Sequence, residues 1–357
     1  MEPPLAPSLS SPVRVSTIAV GALHLPPHAI TRMFARPQGL TVEGVRARMR
    51  LLTLKDQTVI NDYLKKYPPN VCELSFANLL HWNSTYPHYL EKASPHCFCE
   101  VDEHLLIGFY DANGRLKLYQ PIGPAPEKII RQLNADTLPV EWTCVEESIA
   151  LKAETGDCII ASDRDNSDYI YLLDELRTLK GKKFHRKRTY INHCLDFQPT
   201  VIPLTGSMAE SCLAVNRKWL ECKENPHDTD TTALEVALQN FDAFGLFGIG
   251  VLINGALESF AIGEPLNETT FVSHFLKANY AFSGLFQYTS YAFAKAIPPP
   301  FTHLNKEQDL GIEGLRVSKE GWCPAAMVRK YTIRNPLWKT NVPCGTVETV
   351  KQGPTGV

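Results

Sequence analysis

The chain has 357 residues, 44% of them hydrophobic and 21% charged, which is the balance of a globular protein and excludes a disordered or fibrous one. At roughly 150 residues per domain, this length suggests two domains. A formal net charge of −2 excludes a broadly basic nucleic-acid coat, so any anion site must be local.

Residues 1–48 are rich in Pro, Ser and Arg, carry only Glu2 and Glu43 as acids, and hold no lasting period. A disordered tail, an organelle-targeting peptide and an upstream extension of the reading frame compete here, and a disordered or dispensable extension is favoured. Folded structure is expected from Met49. Leu54 to Tyr67 repeats apolar residues at three and four, which predicts a helix, and Phe76 to Trp82 predicts another. His96-Cys97-Phe98-Cys99 reads as a strand with buried thiols, because no second ligand pair at zinc spacing accompanies it; no metal site is expected. A hairpin spans Leu105 to Ile122 around Asp111-Ala112-Asn113-Gly114. A helix (Glu127–Leu133), a strand (Val140–Val145) and a helix (Glu146–Ala153) close a first α/β unit near Gly156.

The second unit opens with short strands at Cys158–Ile160 and Tyr169–Tyr171. Helices are expected at 182–195, 207–222 and 232–244, with capping boxes at Ser207/Glu210 and Thr232/Glu235. The apolar stretch Phe244–Gly263 is long enough to raise a membrane span, but it contains Asn254-Gly255 and Glu258, so two strands around a tight turn fit better. Strands at 246–253, 257–264 and 269–277 follow, then a helix at 285–297 that Pro298-Pro299-Pro300 ends. A strand (301–304), a polar stretch, a helix (312–321) and a strand (326–333) complete the unit. The tail, 335–357, is expected to be loose. The domains expected are thus 49–157 and 158–334. The ten cysteines form no CxxC, and no leader with an apolar core is visible, so reduced thiols and a cytoplasmic location are expected.

Two stretches carry chemistry. Asn305–Arg316 holds seven polar or charged residues among twelve at the end of a strand, where plain connections have no need of them. Within it Glu307 and Asp309 are candidates to grip an ammonium, and Arg316 and Lys319 share a helix face that would meet phosphate. Lys180 to Arg188 contains six cations and no acid at a helix start, where cations oppose the helix dipole. A solvated face is one reading; a phosphate-bearing ligand that neutralises the ridge is the other. Glu264, at a strand end, is placed to accept a proton from an attacking amine. His274, alone in mid-strand, reads as a satisfied structural residue.

Leu179-Lys180-Gly181-Lys182-Lys183, then Arg188 and Asn192, resemble the L-K-G-K-K-x-x-x-x-R-x-x-x-N signature of proteins related to the C-terminal domain of phosphatidylglycerol lysyltransferase, the DUF2156 family. Ile262-Gly263-Glu264, Lys277-Ala278, Gly284-Leu285-Phe286-Gln287 and Asn305–Arg316 resemble its soluble branch, and the likeness runs from about Met49 to Ile333. The resemblance implies two tandem GNAT-like α/β domains, each a mixed sheet flanked by helices. It implies transfer of an aminoacyl or acyl group from aminoacyl-tRNA, or alternatively acyl-CoA, to an amine or hydroxyl on a small molecule, lipid head-group or peptide, with no tightly bound cofactor. The strands at 269–277 and 301–304 would splay around the donor, and the Asn279–Gln287 loop would face its phosphates. Glu264, Asn305, Gln308 and Asp309 would then serve catalysis. Lys182, Lys183, Arg186, Lys187, Arg188, Lys277, Gly284, Gln287, Arg316 and Lys319 would hold the donor. The superfamily's usual acetyl-CoA loop, (R/Q)-x-x-G-x-(G/A), is absent, which weakens the acyl-CoA case, and the membrane half of the full lysyltransferases is missing. A non-catalytic binding module on the same fold is the alternative from another class.

Overall fold

A computed structural model describes residues 40–83, 94–155, 158–223 and 230–339. Calls on residues 1–39 and 340–357, and the Gly156 closing point, lie outside the described residues. Helix α1 (Val42–Arg48) opens this part; the Thr41 hydroxyl accepts from the Gly44 N–H, and Val42 and Val45 are buried. The extension expected to reach residue 48 therefore gives way to packed structure at its end. Two turns are too short for an apolar period to show.

β1 (Arg50–Leu51), α2 (Gln57–Lys66) and α3 (Phe76–His81) lead to β2 (Cys97–Val101), β3 (His104–Tyr110) and β4 (Leu116–Tyr119), an antiparallel meander. Crossover helix α4 (Pro126–Asn134) carries the chain to β5 (Val140–Glu146), parallel to β4, and α5 (Glu147–Ala153) and β6 (Ile159–Leu172) follow. The two short strands expected at 158–160 and 169–171 are the ends of this single strand β6. α6 (Leu173–Thr178) and α7 (His185–Leu195) then form a connector.

The same order of elements then recurs. β7 (Thr200–Pro203), α8 (Ala209–Leu220), α9 (Thr231–Gln239) and the one-turn α10 (Phe241–Phe244) precede the meander β8 (Phe247–Ile253), β9 (Ala256–Pro265) and β10 (Thr270–Ala278). Crossover α11 (Leu285–Ala296) reaches β11 (His303–Asn305), parallel to β10, and α12 (Glu313–Glu320) and β12 (Ala326–Arg334) end the set. The β8–β9 turn has Asn254 at φ 52° and Gly255 at φ 78°, the left-handed pair a two-residue hairpin requires.

The expected capping boxes do not form: α8 and α9 start without a side-chain cap. Ser207 already lies in a 3-10 turn with its hydroxyl on Thr205 (2.8 Å), and Glu210 is paired with Arg217 (2.8 Å).

Among the described residues, twelve strands join one mixed sheet in the order β1-β2-β3-β4-β5-β12-β6-β11-β10-β9-β8-β7. The last strands are exchanged. β6, ending the first set, pairs with β11 of the second, while β12 pairs with β5 of the first. β6 and β12 lie side by side at the centre. Among the described residues, no helix is long and apolar enough to cross a membrane.

Candidate functional site

The parallel strands β10 and β11 pair over a short stretch only: Thr270 with His303, Phe271 with Leu304, Val272 with Asn305. β11 then stops, whereas β10 runs on to Ala278. The pairing of β10 with β9 shifts register between Ser273 and Phe275, leaving His274 at a bulge. A bulge bends its strand and re-aims one side chain. Here it coincides with the point where the parallel pair ends.

His274 is aimed between two carboxylates. Its Nε2 lies 3.0 Å from Glu264 Oε1 and its Nδ1 lies 2.8 Å from Glu307 Oε1. Glu264 stands on β9 opposite Val272, and Glu307 follows β11 with a left-handed φ of 58°. That conformation is held by the Glu307 N–H donating to Asn305 Oδ1 (2.7 Å), and the Asn78 amide donates to Glu307 Oε1 (3.3 Å). Burial alone would lower the imidazole pKa, but the hydrogen bonds and charges of Glu264 and Glu307 outweigh it and raise it to about 9. Both ring nitrogens thus carry protons at neutral pH, and the group has a net charge of −1. The His274 side chain is 1% exposed, while those of Glu264 and Glu307 keep 11% and 18%. The carboxylates are therefore the members a ligand can touch. His81 meets His274 edge to face at 5.0 Å.

Asn305 and Gln308, expected near the reacting carbonyl, belong to a network beneath this group. The Asn305 amide, fully buried, donates to Asp168 Oδ2 (3.0 Å). Lys330 Nζ donates to both oxygens of Glu73 (2.7 and 2.6 Å) and to Asp168 Oδ1 (2.6 Å). The Cys72 sulfur lies 3.2 Å from both Asp168 Oδ1 and Gln308 Oε1, and its single S–H donates to one or the other. Cys72, Glu73 and Asp168 converge closely enough to resemble a metal site. The Lys330 ammonium bonds to both carboxylates and supplies the positive charge that a metal would bring. This network joins the loop before α3 to β6, β12 and the end of β11, and so fixes the first half of the chain against the site.

Asp309 and Arg316 were expected to meet an ammonium and a phosphate; they are bound to each other. Arg316 Nε and Nη2 reach the Asp309 carboxylate at 3.0 and 3.1 Å, Arg164 Nη1 at 2.9 Å and the Tyr169 hydroxyl at 2.7 Å. Burial would raise the Asp309 pKa, but the bonds from Arg316, Tyr169, the Gly311 N–H and Arg164 hold it well below the carboxylate range. Asp309 anchors the loop.

The expected cations divide. Lys182, Lys183 and Arg186 are exposed on the connector, with Lys183 paired to Glu175 (2.6 Å). Arg188 braces the backbone by donating to the carbonyls of Leu179 and Gly181. Lys187 folds over the Trp322 ring, and Lys319 donates to the Lys306 carbonyl. Lys277 is buried against Asp230 (2.6 Å), with its ammonium 3.5 Å from the Trp219 ring centroid. Gln287 is half-buried on α11. Gly284, at φ 79°, presses on the connector: a Cβ there would lie 1.9 Å from the Tyr190 carbonyl oxygen. Close packing of α7 on α11 accounts for this glycine without a ligand.

His96 Nδ1 bonds the Leu79 carbonyl (2.7 Å), and Cys97 and Cys99 are buried in β2, as a structural strand requires. Sequence reasoning missed Glu73, Asp168 and Lys330, because no local spacing links two acids and a base drawn from a loop and two strands so far apart.

The family model for the C-terminal part of phosphatidylglycerol lysyltransferase matches residues 64–334. The chain belongs to that family. A conserved protein of unknown function from Bacteroides thetaiotaomicron is similar at 30% identity, covering 80% of this chain and 99% of its own, with a TM-score of 0.73. A C-terminal DUF2156 domain from Agrobacterium fabrum matches at TM-score 0.55 and 10% identity, over 79% of this chain and 91% of its own. The L-PGS structure from Bacillus licheniformis matches at TM-score 0.55 and 15% identity, over 79% and 92%; these two likenesses concern the fold. The fold is GNAT-like, a helix-flanked mixed sheet with a diverging parallel pair. No curated protein sequence matches the chain.

Proposed function

We propose that the chain transfers an aminoacyl group from aminoacyl-tRNA to an amine or hydroxyl acceptor. Membership of an aminoacyl transferase family supports the reaction class. The observation that carries the site is the Glu264–His274–Glu307 group at the point where β10 and β11 part. Its net charge of −1 suits the α-ammonium that every aminoacyl ester carries. Glu307 would hold that ammonium. The second oxygen of Glu264 would take the proton of the attacking amine or hydroxyl as its bond to the carbonyl carbon forms. The ester bond to the tRNA ribose then breaks, and the proton passes to the departing ribose oxygen. His274 fixes both carboxylates without entering the exchange. Lys182, Lys183 and Arg186, exposed at the start of α7, supply contacts for the tRNA backbone.

The repeated element order supports two GNAT-like units that trade their last strands, with the site in the second; because β6 (Ile159–Leu172) closes the first set, the first unit would run to Leu172 rather than end at the expected 157. A lipid head-group is one acceptor the family points to. Acyl-CoA transfer and a non-catalytic module are the rival readings. Glu264→Gln tests them. It preserves the hydrogen bond to His274 but removes the base, so transfer from aminoacyl-tRNA should fall by about a hundredfold or more. Unchanged transfer in Glu264→Gln and in Glu307→Gln would show that the site is misplaced.

A further inference from the structure

Three lysines meet on the α11 side of the site, from three separate elements. Lys306 Nζ donates to Ser290 Oγ of α11 (2.6 Å) and lies 4.4 Å from the Trp322 ring centroid and 5.2 Å from that of Tyr171. Lys187, from α7, places its Nζ 4.6 Å from the same Trp322 ring. Lys319, from α12, donates to the Lys306 carbonyl and lies 5.9 Å from the Tyr169 ring. Among the described residues, none of the three has a carboxylate at ion-pair distance. The acids that Lys319 senses are Glu307, Asp168 and Asp309, and each is already committed, to His274, Lys330 and the Arg164–Arg316 pair. The groups near Lys187 are Arg186 and the Cys323 thiol. Burial first, then the charges of Lys187 and Lys319, push the Lys306 pKa down to about 7. Like charges gathered out of water and left uncompensated are unfavourable, and aromatic faces relieve only part of that.

We infer that Lys187, Lys306, Lys319 and the Ser290 hydroxyl form a binding site for a phosphate group, separate from the exposed ridge of Lys182, Lys183 and Arg186. The site names a substrate feature and rests on the proposed function only for whose phosphate it takes. A nucleotide of the donor and the head-group of a lipid acceptor both offer that chemistry.

The test is calorimetric titration of the full chain with inorganic phosphate at neutral pH and low salt. Saturable one-site binding is expected, weakened about tenfold or more in Lys306→Gln and in Lys319→Gln, the loss of one charge-assisted hydrogen bond. Lys182→Gln should bind as the wild type does. NMR of the ¹³C-methylated lysines of the wild-type chain avoids any folding defect of the variants: phosphate should move Lys306 from titration near neutral pH up to the ordinary lysine range. Displacement of the phosphate by the trinucleotide CpCpA assigns it to the donor, and displacement by glycerophosphoglycerol assigns it to a lipid acceptor; either supports the site. Phosphate that neither displaces is an adventitious ion only, and that result, equal affinity in Lys306→Gln, or unmoved lysine resonances would overturn the inference. Such a failure leaves the Glu264 assay standing, because phosphate binding is read without turnover.

Discussion

The His274 imidazolium makes stability depend on pH where few other groups titrate. A histidine pKa of 6.5 in the unfolded chain and about 9 in the folded protein amounts to about 3 kcal/mol, at 1.36 kcal/mol for each factor of ten. The folded pKa is the higher of the two, so the folded state holds the proton more tightly. The contribution is complete below pH 6.5, declines as pH rises, and is lost once pH passes about 9. Urea unfolding of wild type and His274→Gln, at steps between about pH 6 and 10, reads this directly. The wild type should lose about 3 kcal/mol relative to the variant across that window, and NMR should place the His274 ring titration near its upper end. Parallel pH profiles for the two proteins, or a ring that titrates at or below 6.5, would refute the two-carboxylate clamp.

Three further perturbations probe the frame around the site. Lys330→Met leaves Glu73 and Asp168 buried without their shared cation and should cost about 3–5 kcal/mol in urea unfolding; a loss below about 1 kcal/mol would mean the two acids find other partners. Gly284→Ala forces a Cβ against the Tyr190 carbonyl at an unfavourable φ, so Tm should drop by several degrees, and an unchanged Tm would contradict the close approach of α7 to α11. The Asp309 carboxyl is held below the ordinary range, so its contribution is full above that range and is lost as pH falls through the folded pKa. Asp309→Asn should remove that part of the acid sensitivity, and identical acid-unfolding curves would show the clamp contributes nothing.

Much of the element order was legible because local signals agreed with the fold. Asn254-Gly255 and Asp111–Gly114 carried turn chemistry that only hairpins use, and apolar periods marked α2 and α8. The duplication was legible only through the family resemblance, which implied two tandem units; no residue pattern along the chain shows it. It resides in topology, β1-α2-α3-meander-helix-strand-helix-strand, which two sequences share without sharing residues. The exchange of β6 and β12 likewise leaves no local trace, since pairing of Ala326 with Ile170 is invisible to any window along the chain. Of the candidate site, Glu264 and the Asn305–Arg316 stretch drew attention because charge at a strand end is a local signal. His274, expected to be a satisfied structural residue, is buried with both ring nitrogens bonded, but its two partners lie ten and thirty-three residues away and were not legible. At Asp309 and Arg316 charge density drew attention to side chains that the fold uses to hold one another.

A titration of the full chain with an aminoacyl-tRNA and, separately, with CoA, each at two salt concentrations, decides what the site serves. Aminoacyl transfer predicts tRNA binding that falls steeply with salt as counterions are released, and weak or no binding of CoA. Tight, salt-insensitive CoA binding without tRNA binding would instead make the chain an acyl-CoA enzyme, and binding of neither would contradict a transferase.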